Sequence, residues 1–174
     1  KKMGLPINKL LIATNSNDIL KRVVKTGVYK PQKVEQTVSP SMDIQVASNF
    51  ERLIFDIYAN DSNKVLELMN DLNTNGEFNI GKEELKKINA NFCSESLSVS
   101  ETKLIINKIY NNQNILIDPH TAVGVGVAEK IALEGNTIIL STAHPSKFSD
   151  VVMKETKVKP ELPDSLKHIL ISKE

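Results

Sequence analysis

The apolar residues of this chain change rhythm several times. Residues 10–13 (LLIA) form a short unbroken apolar run that stops at the polar stretch Thr14, Asn15, Ser16, Asn17 and Asp18. A run of that length bounded by turn residues predicts a strand covered on both faces. Ile19, Leu20, Val23 and Val24 then recur at helical spacing, with Asn17 or Asp18 able to cap the helix and Gly27 placed to end it. The unit reads strand, polar turn, helix.

The same order returns twice. Residues 114–117 (NILI) lead into Asp118-Pro119-His120-Thr121 and a small-residue helix over 122–133, stopped at Gly135. Residues 137–140 (TIIL) lead into STAHPSKF (141–148) and a helix over 148–156. Strands alternating with helices predict an α/β fold with parallel strands. Between these units, a loop over 28–48 precedes Phe50, Leu53, Ile54, Ile57 and Tyr58 at helical spacing. Val65, Leu66, Leu68, Met69 and Leu72 continue the pattern after a polar break at 60–63, and Leu85, Ile88 and residues 104–109 predict further helices. The expected organisation is one compact body in three stretches: 1–48, the first strand–helix unit and a loop; 49–112, a helical insertion; 113–174, the later strand–helix units. Asn49 is expected to cap the helix that begins at Phe50, and residues 165–171 form a last short element, helix or strand. Lys1 to Pro6 read as a helix tail, a glycine stop and a proline, so a start lying upstream is expected.

Composition narrows the function classes. The 174 residues are 40% hydrophobic and 25% charged, enough for one sizeable core. Lys plus Arg (22) nearly balances Asp plus Glu (21), with no basic stripe interleaved with aromatics, so neither nucleic acid nor an anionic membrane is the expected partner. Cys93 is the single cysteine, which excludes an intrachain disulfide and fits a reducing, cytoplasmic setting. No apolar run approaches the roughly 20 residues of a membrane span.

In open parallel sheets, ligands bind beyond the carboxyl ends of the strands, where turns present side chains and helix N-termini present N–H groups. The three polar turns occupy that position and are expected to line one cleft, although Asn17, Asp118 and Thr121 taken singly also read as helix caps. His120 and His144 have no cysteine or acidic neighbour at metal-ligand spacing, and no Gly-x-Ser-x-Gly elbow occurs, so neither a metal site nor a serine hydrolase is expected. No glycine-rich phosphate loop follows a strand; Gly124 and Gly126 lie inside a predicted helix and read as packing glycines.

Four stretches carry a resemblance. Residues 39–52 (SPSMDIQVASNFER), 1–20 (KKMGLPINKLLIATNSNDIL), 117–125 (IDPHTAVGV) and 141–148 (STAHPSKF) are similar to blocks of the threonine synthase family, in the same order. The likeness runs over nearly the whole chain and weakens over 61–101. It implies a fold-type II pyridoxal-phosphate enzyme, like the tryptophan synthase β subunit, of which this chain is a C-terminal portion. It also implies that the Schiff-base lysine and the glycine-rich loop for the cofactor phosphate lie upstream of Lys1, so no catalytic residue is expected here.

On that resemblance Thr142 faces the pyridine nitrogen of pyridoxal phosphate. A hydroxyl there, unlike a carboxylate, does not hold the ring nitrogen protonated; the alternative is a threonine that satisfies backbone at a strand end. Ser41, Met42 and Asp43 are expected at the mouth of the site, with Asn15 and Asp18 marking the first strand end, touching substrate or fixing the loop. Lys147 is either a contact for the substrate phosphate or a solvated lysine in a first helical turn. The implied reaction converts O-phospho-L-homoserine and water to L-threonine and phosphate, and the implied partners are that substrate and the N-terminal remainder of the same polypeptide, without which the chain is expected to be inactive. The competing expectation is a solitary remnant serving as a binding or structural module.

Overall fold

A computed structural model describes residues 3–132 and 134–170. Strand β1 (Leu10–Thr14) and helix α1 (Ile19–Thr26) form where the apolar rhythm places them. Gly27 closes α1 in the left-handed conformation at φ 79°, its N–H donating to the carbonyl of Val23 at 2.8 Å. A side chain there would be strained, and its Cβ would stand 3.2 Å from Leu85. Asp18 precedes α1 but does not cap it; its carboxylate pairs with Arg22 one turn on, at 2.9 Å.

The loop that follows holds strand β2 (Val28–Tyr29) and a 3₁₀ turn, Pro40–Met42. Next come α2 (Phe50–Ile57), α3 (Ser62–Asn75), β3 (Phe78–Asn79), α4 (Lys82–Asn91), β4 (Phe92–Ser96) and α5 (Val99–Gln113). Asn49 precedes α2 without a side-chain capping bond; its carbonyl instead accepts from Arg52. The stretch expected to be helical is mostly so, but it also holds two strands that apolar rhythm did not announce. β3 pairs antiparallel with β2. β4 pairs parallel with β1, Leu10 opposite Phe92 and Thr14 opposite Ser96.

Helix α6 (Pro119–Ile131) starts earlier than its apolar residues suggest, because Asp118 caps it and Pro119 fits its first position. Helix α7 (Ser149–Thr156) follows a 3₁₀ turn, Pro145–Phe148, and a further 3₁₀ turn, Asp164–Leu170, occupies the stretch expected as helix or strand. Of the expected elements, Lys1, Lys2, Leu133 and Ile171 lie outside the described residues.

Two expected strands need correction. Residues 114–117 and 137–140 carry no regular structure. A strand exists only as half of a ladder, and among the described residues no strand pairs with either run. Ile138 and Leu140 are consequently 88% and 76% exposed, while Ile139 rests over Gly124 of α6.

The β1–β4 pair divides the apolar interior in two. Ile12 and Phe92 join a cluster built on α1, α2 and the stacked rings of Tyr29, Phe50 and Phe78. Leu11 and Ala13, pointing the other way, join a cluster of Leu97, Ile105, Ile106 and the α6 residues Ala122, Val123 and Val127. Gly126 lets α6 approach this closely: a Cβ there would lie 2.6 Å and 2.9 Å from the two methyls of the buried Leu97. Gly126→Val should therefore destabilise the fold by about 2 kcal/mol, as overpacking of a filled core does, and thermal unfolding by circular dichroism is the check; an unchanged midpoint would mean that Leu97 has room to move.

On the edge of β4, Glu95 pairs with Lys21 and Lys25, the latter at 2.9 Å. The Lys21 ammonium, then the Ser96 N–H and Lys25, outweigh partial burial and hold this carboxyl well below its ordinary 4.5, at about 2. A depressed value in the folded state contributes stability above pH 4.5 that is lost as pH falls from there toward 2. The stability gap between the wild type and Glu95→Gln should accordingly be full near neutrality and close across that window, as followed by urea unfolding at stepped pH.

Candidate functional site

The polar turn after β1 is built as a closed network. Asn15, 2% exposed, donates through its amide to Asp43 Oδ1 (2.6 Å), Thr37 Oγ1 (2.8 Å) and Ser39 Oγ (3.0 Å), and its carbonyl accepts the Asn17 N–H at 2.8 Å. Asn17 reaches Asp43 as well, at 3.1 Å, and exchanges hydrogen bonds with the backbone of Glu35 at 2.8 and 2.9 Å. Thr37 closes the ring, donating its N–H and hydroxyl to the two oxygens of Asp43 at 2.8 and 2.6 Å. The half-buried carboxylate of Asp43 is tolerated because its lone pairs are met by donors in this way.

The second turn carries a carboxylate that is wholly buried. Asp118 is fully buried; its oxygens accept the N–H groups of His120 (2.9 Å) and Thr121 (3.1 Å), the hydroxyl of Thr121, and Nδ1–H of His120 at 2.6 Å. The far nitrogen of His120, Nε2, accepts the N–H of Ser41 at 3.2 Å. The imidazole also packs on Phe148, ring centroids 4.7 Å apart and planes tilted by 54°. The first two turns thus meet through the Pro40–Met42 segment, and the third touches the second through Phe148.

Thr142 is exposed on an open recess of about 740 Å³ that it lines with Asn114, Leu116, Ser141, His144 and Glu161. Among the described residues its hydroxyl has no hydrogen-bond partner, so it is not occupied in satisfying backbone. His144 holds the neighbouring turn, its Nδ1 meeting Ser146 Oγ at 2.7 Å.

The expected site residues are therefore distributed unevenly. Asn15 and Asp43 belong to one network, with Ser41 at its edge. Met42 packs into the apolar cluster beside α6. Asp18 turns away to Arg22, whose guanidinium also reaches Gln45 at 3.0 Å. Lys147 is exposed, its ammonium 5.7 Å from the Phe148 ring centroid, and it does not line the recess. His120 does have an acidic partner, two positions before it, but among the described residues no group of three ligands could hold a metal. Thr37 and His120 were missed as site-forming residues. The Asp-x-His spacing at a helix start is the signal that could have found His120. No helix among the described residues is long and apolar enough to cross a membrane.

Comparison with known proteins places this geometry. Residues 121–174 match the family model described as threonine synthase, C-terminal. Threonine synthase of Saccharomyces cerevisiae is 46% identical over 171 residues, covering 87% of this chain and 33% of the relative. The crystal structure of pyridoxal-phosphate-bound threonine synthase from Brucella melitensis superposes with a TM-score of 0.92 at 42% identity, over 99% of this chain and 38% of that one. The yeast threonine synthase structure superposes at 0.87 with 39% identity, over 99% of this chain and 39% of that one. The chain spans about a third of the length of the relatives it matches. Its fold, its register of motifs and these likenesses agree: the chain belongs to the threonine synthase family and corresponds to its C-terminal region.

Proposed function

We propose that the protein containing this chain is a pyridoxal-phosphate-dependent threonine synthase, converting O-phospho-L-homoserine and water to L-threonine and phosphate. The observation that carries the reading is Thr142: a hydroxyl without a partner among the described residues, on a recess of a size that holds small ligands, in a fold that superposes closely on a threonine synthase with that cofactor bound. The residues present fit the group. A hydroxyl can donate to or accept from a pyridine nitrogen and is too weak an acid to leave it permanently protonated.

Bound there, pyridoxal phosphate would supply the electron sink that eliminates phosphate and admits water. This chain's own residues contribute position. Thr142, on the recess wall, would offer its hydroxyl to hold the cofactor's ring nitrogen. Asp43 and Asn15, with their lone pairs and donors committed to each other and to Thr37, shape the turn at the mouth and do not reach outward. Ser41 is exposed on that turn and is free to meet substrate. Lys147, exposed and without a carboxylate partner among the described residues, remains the cation of this region for the substrate phosphate.

Among the described residues no lysine lines the recess, so the amine that anchors the cofactor is proposed to come from the part of the family's length that this chain does not span. By itself the chain should then turn over no substrate, and borohydride reduction after mixing with the cofactor should label no single lysine stoichiometrically; one uniquely labelled lysine, found by mass spectrometry, would contradict this. The complete protein, loaded with cofactor, should release threonine and phosphate from O-phospho-L-homoserine, and absence of both products would sink the reading. In the complete protein, Thr142→Val keeps the shape and removes the hydroxyl. It should shift the visible absorption of the bound cofactor and lower turnover at least fivefold, the loss of about 1 kcal/mol. An unchanged spectrum with unchanged turnover would assign Thr142 no part in the site.

A further inference from the structure

The turn carrying Ser41, Met42 and Asp43 packs Met42 into the cluster beside α6 and is fastened by polar contacts at two further points. One side is tied by Asp43 to Asn15, Asn17 and Thr37. The other side rests on one bond from the N–H of Ser41 to Nε2 of His120, joining residues 79 positions apart. Nε2 accepts only when it carries no hydrogen. Asp118, fully buried and held by Thr121, stands 2.6 Å from Nδ1 and keeps the ring's hydrogen on that side. Phe148, which ends the turn after Thr142, leans on the same imidazole.

A ring placed for volume alone would not need a buried carboxylate behind it and an acceptor nitrogen in front. We infer that His120 is a positioning residue: Asp118 selects its tautomer, and the ring then holds the Ser41 turn at the mouth of the site against the N-terminal end of α6. The role rests on the reading that this turn and the Thr142 recess serve one active site. His120 itself touches no substrate. It sets where the Ser41–Asp43 segment stands when substrate arrives, so its loss should appear in substrate capture and not in the environment of the cofactor.

Two substitutions separate this from simple packing. In His120→Gln the side-chain carbonyl reaches the place of Nε2, whereas in His120→Asn it reaches only that of Nδ1. In the complete, cofactor-loaded protein His120→Asn should raise KM for O-phospho-L-homoserine about tenfold, roughly one hydrogen bond of loop order, with kcat within about twofold and the cofactor absorbance unchanged. His120→Gln should recover most of that loss. Amide exchange at Ser41 should quicken in the Asn variant and stay slow in the Gln variant. Equal KM values in the two variants, or a Ser41 amide indifferent to both, would overturn the inference. In the wild type, imidazole ¹⁵N shifts should place the hydrogen on Nδ1; the opposite tautomer would overturn it without recourse to any variant. If the wild type makes no threonine, the functional reading fails, while amide exchange and the ¹⁵N shifts still decide whether His120 holds the turn.

Discussion

The parallel pairing of β1 with β4 joins segments distant in sequence, and everything between them must be arranged so that it can close. It ends with the N–H of Leu97 donating to the carbonyl of Thr14 at 2.9 Å, at the point where β1 gives way to Asn15. Alternating side chains on β1 then send Ile12 to one apolar cluster and Leu11 and Ala13 to the other. One ladder thus partitions the interior and fixes the place from which the polar turn departs. Because both faces are covered, a slip of one residue would exchange the two clusters, and the register is strongly specified.

Beyond the ladder, two hydrogen-bonded carboxylates do the positioning, Asp43 half-buried and Asp118 fully buried. Asp43 and Asp118 each gather several donors at hydrogen-bond distance, which offsets the cost of removing a charge from water. Such networks are worth most when fully satisfied, and no buried side-chain polar atom among the described residues lacks a partner. The recess around Thr142 is the opposite kind of surface, open and with an uncommitted hydroxyl. The region combines a rigid frame with a free face, as expected of a site that must hold its geometry before a ligand arrives.

Much of the fold was legible because apolar rhythm follows backbone geometry. β1, α1, α2 and α7 announced themselves, as did Gly27 as a stop and Gly126 as a packing position. β4 did not: Phe92, Cys93, Ser94, Glu95 and Ser96 have little apolar content, and the strand keeps its place through the ladder and through Lys21, whose ammonium reaches Ser96 at 2.9 Å. Residues 137–140 misled in the opposite sense, since their apolar run reads as a strand whether or not a neighbour is there to pair. The same division holds at the site. Asn15, Ser41, Asp43 and Thr142 were put forward through resemblance and turn chemistry, while the contacts of Thr37 and His120 join stretches far apart in sequence, which no local pattern encodes. Asp18 was placed at the right strand end, yet its carboxylate is directed by Arg22 back along its own helix.

The commitment of the Asn15 amide gives the protein a particular way of ageing. Asparagine followed by serine, as Asn15 is by Ser16, is a sequence in which the side-chain amide hydrolyses slowly to a carboxylate. The change is nearly isosteric, so apolar packing would scarcely register it. At this position it would remove both donors that face Asp43, Thr37 and Ser39 and set a second negative charge against Asp43, a pair that resists joint ionisation. The frame that holds the Ser41 turn would be disturbed first, well before any loss of bulk structure. The chemical shelf life of the site therefore depends on how firmly Thr37, Ser39 and Asp43 hold the Asn15 amide away from the backbone nitrogen of Ser16, whose attack begins that hydrolysis.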